Sequence, residues 1–404
     1  MELNIFTLIT LDMLLIIILM RRHLPLGLCM LGGGLFIWGL QSGDPQLLFG
    51  SLVKTLQQKR TFDLIAALYL VMCLEIELRT SGTLAGMVAA LRRAFSSAKV
   101  TLMVMPAFLG LLPSLGGARF SAPIVREASK DLGLDPHTQS AINFWFRHPF
   151  EFSNPIIPGM IMACSIAEVP YSDFVQHTAW MSVVAFIAGW FFLIRPIKEL
   201  PALAEDTGEQ GGPLDIALSL APVILTFLLV VFAGLTASLA MAVTVAVLFV
   251  VLHLIGRPVS PKQVIIGAID RKMLLNISCI LYFINILNDT RVLTALCDAF
   301  RAAPLPIPVI IAAISFIIGV LTGMSQAHVA IVMPIVAAMQ TGSLTLAAVA
   351  MIFGVAGQML TPTHMCLVVT LDYFHADIFR TLKPVLWCEI VMLTIFSLVT
   401  WVRG

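Results

Sequence analysis

Gly-Leu-Leu-Pro-Ser-Leu-Gly-Gly-Ala-Arg-Phe-Ser (Gly110–Ser121) and Phe-Arg-His-Pro-Phe-Glu-Phe-Ser-Asn-Pro (Phe146–Pro155) break two long apolar runs with glycine, proline and charge. The pattern returns as Gly-Val-Leu-Thr-Gly-Met-Ser-Gln-Ala-His-Val-Ala (Gly319–Ala330) and Phe-Gly-Val-Ala-Gly-Gln-Met-Leu-Thr-Pro (Phe353–Pro362). In lipid an unpaired backbone amide costs several kcal/mol, so such breaks survive only against protein or a watery cavity. Paired breaks at corresponding positions of two halves mark the binding site of a secondary transporter.

The surrounding composition is that of a polytopic membrane protein. Of 404 residues, 59% are hydrophobic and 12% charged, with mean hydropathy +0.97; a soluble domain carries about 25% charged residues. The net charge of +1 gives no field for nucleic acid. Seven scattered cysteines read as small core hydrophobes. Arg21 and Arg22 follow the first apolar run, the reverse of a signal peptide, so that run is retained as a span.

A span needs roughly 20 apolar residues. The first half, 1–195, is expected to hold spans near 3–20, 24–40 and 62–78, a hairpin broken at its tip over 98–127, a broken helix over 139–165 and a span at 173–195. Residues 196–212 read as a polar cytoplasmic linker. The second half, 213–404, repeats the plan with spans near 213–232, 234–255 and 273–290, a hairpin over 305–338, a broken helix over 343–371 and a span at 383–402. Gly110 and Gly319 lie 209 residues apart, and Phe146–Phe353, Glu151–Gln358 and Pro155–Pro362 each lie 207 apart. Short amphipathic pieces, Leu84–Phe95 and Val292–Arg301, precede each hairpin.

If each hairpin enters and leaves on one side, each half has five crossings, and the second half is inverted. The expected fold is therefore all-α, with two inverted repeats of five transmembrane helices plus one re-entrant helical hairpin. Of the 24 basic residues, 16 then fall on the side of the first loop, 6 on the other, and Arg119 and Arg147 on neither. The positive-inside rule makes the first side cytoplasmic and places both termini outside.

Arg119 and Arg147 carry the chemistry most directly, because arginine inside a bilayer is expensive and guanidinium clamps carboxylate in a bidentate fork. Arg147 has a second reading as the partner of Glu151, four residues on along a regular helix. Glu151 is the acid at a helix break, a proton or cation site or simply that partner, and its counterpart Gln358 cannot titrate. Ser114, Gly116 and Gly117 line the first tip, and Gly323, Ser325 and Gln326 the second. Ser153, Asn154, Thr361, Thr363 and His364 flank the prolines. Half-helix N-termini suit an anion, while unwound carbonyls suit Na⁺. Substrate contacts are expected from Ser114, Gly116, Gly117, Arg119, Asn154, Gly323, Ser325, Gln326, Thr361, Thr363 and His364, and ion coupling from Glu151, Arg147, Ser153 and Gln358.

His148, His328 and His364 come from separate elements without an acid or cysteine at ligand spacing, so hydrogen bonding is expected and metal is not. Glu75 and Glu77, beside Arg79, read as interfacial caps; Asp12 has no sequence-level explanation. No His-Glu-x-x-His, Gly-x-Ser-x-Gly or paired-aspartate motif points to an enzyme.

The inverted plan resembles the ion-transporter superfamily, which includes divalent-anion/sodium symporters and gluconate and citrate carriers. Pro-Ser-Leu-Gly-Gly-Ala-Arg-Phe-Ser-Ala-Pro, His-Pro-Phe-Glu-Phe-Ser-Asn-Pro and Thr-Pro-Thr-His-Met-Cys-Leu are similar to a prokaryotic integral-membrane family of unknown function within it. The resemblance covers nearly the whole chain and implies outer scaffold helices, often dimerising, around a mobile transport domain. The symporters' Ser-Asn-Thr tip signature is replaced by Ser114-Leu115-Gly116 and Ser325-Gln326-Ala327. The sequence reading is thus a secondary transporter of a small organic, carboxylate-like anion coupled to Na⁺ or H⁺, without a cofactor; the alternative is a cation/proton antiporter on the same architecture.

Overall fold

The computed structural model describes residues 4–22, 24–94, 97–111, 117–198 and 212–403, with backbone alone at 88, 91–94, 117–120, 131 and 403. The described residues are helical, with no strand among them, as expected where every backbone amide must be satisfied within its own segment. The chain is an all-helical integral membrane protein. Tyr171–Ile194, Pro213–Val231, Ala237–Leu254 and Ile378–Val402 are each long and apolar enough to cross a bilayer alone.

Arg271–Asp289 and Val292–Arg301 form a further span bent by 69°, and the remaining apolar helices run to 10–17 residues. The first half opens with α1 (Ile5–Arg21), α2 (Leu26–Gln41), α3 (Pro45–Gln57), α4 (Lys59–Thr80) and α5 (Thr83–Ala94). Next come α6 (Ala98–Leu111) and α7 (Gly117–Ala128), then α8 (Pro136–Phe146) and α9 (Pro158–Ala167). This half closes with α10 (Tyr171–Thr178), α11 (Trp180–Gly189) and a π-helical turn at Trp190–Ile194. The second half holds α12 (Pro213–Val231), α13 (Ala237–Leu254), α14 (Pro261–Gly267), α15 (Arg271–Asp289), α16 (Val292–Arg301), α17 (Ile307–Thr322), α18 (Ser325–Met339), α19 (Leu344–Met359), α20 (Met365–Phe374) and α21 (Ile378–Arg403). The 196–212 linker falls almost wholly outside the described residues.

The regions read as broken helices, 139–165 and 343–371, are separate helices joined by irregular chain. Proline decides where the first one stops. Pro149 has no N–H, and its ring would meet the Trp145 carbonyl in a continued helix, so α8 ends at Phe146 and a single 3₁₀ turn spans Pro149–Phe152. At 1.5 Å per residue, the 11 and 10 residues of α8 and α9 each reach about half of a 30 Å core.

Packing sets two groups of helices around these breaks. α2 packs on α15, α4 on α13, and α3 on α15. α17 lies along α19, α9 along α18, and α20 along both α7 and α8. Glycine permits the closest of these approaches. A Cβ at Gly319 would collide with the Gly354 carbonyl, one at Gly357 with the Phe316 carbonyl, and one at Gly110 with the Arg147 carbonyl. The hairpin arms α6 and α17 therefore press on α8 and α19 backbone to backbone.

Candidate functional site

The site is built where four helix ends meet. α17 ends at Gly323, whose φ of +65° favours glycine. A Cβ there would lie 2.5 Å from Thr363 Oγ1 and 3.0 Å from the His364 amide nitrogen, so the second hairpin tip rests on the break between α19 and α20. A Cβ at Gly159, the second residue of α9, would lie 3.0 Å from Ser325 Cβ and Oγ at the first residue of α18. The N-termini of α9 and α18 thus face each other.

Capping separates the outer halves of the broken helices from the inner ones. Asp135 accepts from the amides of His137 and Thr138 to cap α8, and Ser343 caps α19 through the Leu346 amide. The inner halves α9, α18 and α20 begin at Ile157, Met324 and His364 without a side-chain cap. Each retains the unbonded amides and the partial positive charge of a free helix start.

Beside these ends lies a buried cluster of titratable side chains. Gln358 Nε2 donates to Glu151 Oε2 at 2.9 Å, and Glu151 Oε1 stands 3.9 Å from His148 Nε2. His148 Nε2 is 3.1 Å from His364 Nε2, while His148 Nδ1 bonds the Phe144 carbonyl at 2.7 Å. A carbonyl only accepts, so Nδ1 carries the proton and Nε2 presents a lone pair. Arg147 is 8% exposed, and its Nε and Nη1 have no hydrogen-bond partner among the described residues. Its guanidinium interacts with the Cys366 thiol and with Glu151. Glu389 of α21 is buried, with Oε2 unpartnered among the described residues, on a cavity of about 10 Å³ shared with His148.

Several sequence expectations meet a different geometry. Arg147 and Glu151 do not form the expected i,i+4 helical ion pair, because regular helix ends before Arg147; Glu151's hydrogen-bond partner is Gln358. Asn154 spends both polar groups on the fold, donating to the Leu111 carbonyl at 2.7 Å and accepting from the Ile156 amide. Ser153 pairs with Ser182 at 2.7 Å, and Thr361 with Thr363 at 3.0 Å. Ser325 and Gln326 are half-buried at the start of α18. Ser114 and Gly116 lie outside the described residues; Gly117 and Arg119 belong to α7, with no side chain described.

Glu75 does bond Arg79, at 3.0 Å, but Glu77 is not an interfacial cap. It is fully buried with both carboxylate oxygens unpartnered among the described residues, because two residues along a helix is about 200° around it. Asp12 is likewise buried and unpartnered, against Gly33. Two site residues escaped the sequence reading. Glu389 sits in an unbroken apolar run, where one acid was the available signal. Cys366 follows His364 by two positions and, of the seven cysteines, is the one not fully buried.

Residues 4–403 match the model of a protein family described as a protein of unknown function, DUF401. The chain is a DUF401 protein. No curated protein matches it. Among solved structures, the YdaH transporter of Alcanivorax borkumensis matches this DUF401 chain with a TM-score of 0.60. That match covers 90% of this chain and 89% of the other at 16% identity. The likeness is one of fold.

Proposed function

We propose that this protein is a secondary active transporter of a small organic anion, coupled to Na⁺ or H⁺ and working by alternating access. The observation that carries the reading is the meeting of two uncapped helix starts at Gly159 and Ser325. Each bears roughly half a positive elementary charge, so the paired starts favour an anion held beside their junction. The corresponding helices α7 and α20 also pack on each other. Arg147, buried with two unpartnered nitrogens, adds a full positive charge nearby, and Arg119 is assigned to the anion on the first hairpin.

The inverted-repeat reading draws support from matching contacts. Gly110 meets the Arg147 carbonyl as Gly319 meets that of Gly354, at positions 209 and 207 residues apart. α2 on α15 pairs with α13 on α4 in the same sense. On this reading α6–α7 and α17–α18 are re-entrant hairpins opening to opposite sides, both termini face outward, and the fold belongs with the ion-transporter superfamily. The resemblance of fold to a transporter supports it further. A cavity of about 440 Å³, lined by Arg60, Asp63 and Glu168 between α4 and α9, offers a polar approach from one face.

A second reading, cation/proton antiport, is favoured by Glu151 and Glu389, two buried carboxyl groups close enough to interact. Purified protein in proteoliposomes separates the two. Carboxylate uptake driven by a Na⁺ or proton gradient is expected for the symporter. Dissipation of a pH gradient by Na⁺ alone, with no carboxylate response, would mean the antiporter.

A further inference from the structure

We infer that His148, His364 and Cys366 form a binding site, with Glu151 beside it, for a borderline transition-metal cation of the Zn²⁺ type. The inference is independent of which anion, if any, is carried. One ring nitrogen of His148, one of His364 and Cys366 Sγ all lie within 4.8 Å of one another, and Glu151 Oε1 is 3.9 Å from His148 Nε2. Zn–N bonds of about 2.05 Å at the tetrahedral angle place two nitrogens roughly 3.3 Å apart. The 3.1 Å between the two imidazoles is close to that spacing. Two nitrogens and one sulfur make a three-ligand protein set of the kind zinc takes, with the fourth position left open.

The surroundings are arranged as an outer shell. Metal-bound histidines donate their other N–H to a carbonyl, which fixes the ring, and His148 Nδ1 does so to Phe144 at 2.7 Å. Without a cation, His364 must carry its proton on Nε2 to bond the lone pair of His148. Its Nδ1 is then a bare acceptor, and that atom has no hydrogen-bond partner among the described residues. A cation between the two Nε2 atoms removes this conflict and frees Nδ1 to carry the proton.

Charge also closes. The groups facing the site are Arg147, on the Cys366 thiol, and the carboxyls of Glu151 and Glu389. With the thiolate and both carboxylates ionised, their three negative charges balance the dication and the guanidinium. A buried cluster of this size is stable only near neutrality.

The test uses the full-length protein in detergent, freed of any histidine tag, with Zn²⁺ and Co²⁺ alone as probes. About one Zn²⁺ per chain is expected after dialysis. The Co²⁺ form should show thiolate-to-cobalt charge-transfer absorption with tetrahedral d–d bands. Cys366→Ser should abolish the charge-transfer band, and His364→Gln should weaken Zn²⁺ binding at least tenfold. His253→Ala, an exposed histidine on α13, should change neither. Wild-type protein that retains no Zn²⁺, or whose Co²⁺ spectrum lacks the sulfur band, would overturn the assignment, as would Zn²⁺ retention unchanged in Cys366→Ser and His364→Gln alike. The wild-type readings stand whether or not a variant folds.

Discussion

Replacing Gly159 with alanine tests the placement on which the anion reading stands. The new Cβ would lie 3.0 Å from both Cβ and Oγ of Ser325, whereas carbon atoms rest at about 3.5–4.0 Å. Roughly half an ångström must be found in a close-packed junction, and overpacking of that kind costs about 1–3 kcal/mol. Gly159→Ala should therefore lower the folded-to-unfolded ratio about 5- to 150-fold, since each 1.4 kcal/mol is a factor of ten. With Ser325→Gly in place, the closest remaining atom is the residue 325 carbonyl carbon at 3.7 Å, an ordinary contact. Gly159→Ala should then be harmless, or stabilising by up to about 1 kcal/mol, because alanine is the better helix former. Equilibrium unfolding of the four proteins by SDS titration in mixed micelles gives the cycle. A coupling of at least about 1 kcal/mol is expected. Effects that add to within about 0.5 kcal/mol would refute the approach of α9 and α18.

Two further outcomes follow from the buried cluster and the first hairpin. Gln358→Leu removes the donor to Glu151 Oε2 and should cost about 1–3 kcal/mol of stability in the same titration; the swap Glu151→Gln with Gln358→Glu rebuilds the pair and should recover most of it. An unchanged midpoint for Gln358→Leu would mean the pair contributes nothing. Arg119→Ala should abolish carboxylate uptake in proteoliposomes while the protein elutes monodisperse, and full uptake would remove Arg119 from the anion's site.

The breaks were legible in the sequence because glycine and proline inside a membrane-grade run have no other tenable use. The reading placed them at Phe146–Pro155 and Phe353–Pro362, and the helices part between Phe146 and Pro158 and between Met359 and Met365. The partners across the joints were not legible. The 207-residue spacing matched Glu151 to Gln358 as counterparts, yet it gave no sign that the two touch. The i,i+4 rule offered Arg147 to Glu151, and it failed because Pro149 ends the helix the rule assumes. His148 and His364 are 216 residues apart, and the contact between their rings arises only when α20 packs on α8. Glu389 is the one acid of α21, and Glu77 stands between Glu75 and Arg79 in sequence yet is buried. Their positions carried a signal in desolvation, which residue spacing does not record.

Uptake by the wild-type protein in proteoliposomes, across a panel of small carboxylates and with Na⁺ or proton gradients imposed separately, addresses the central claim most directly. The account predicts accumulation of at least one carboxylate that requires one of the two gradients and disappears when the gradient is collapsed. Gradient-independent background for every carboxylate, together with Na⁺-driven proton movement in their absence, would contradict it.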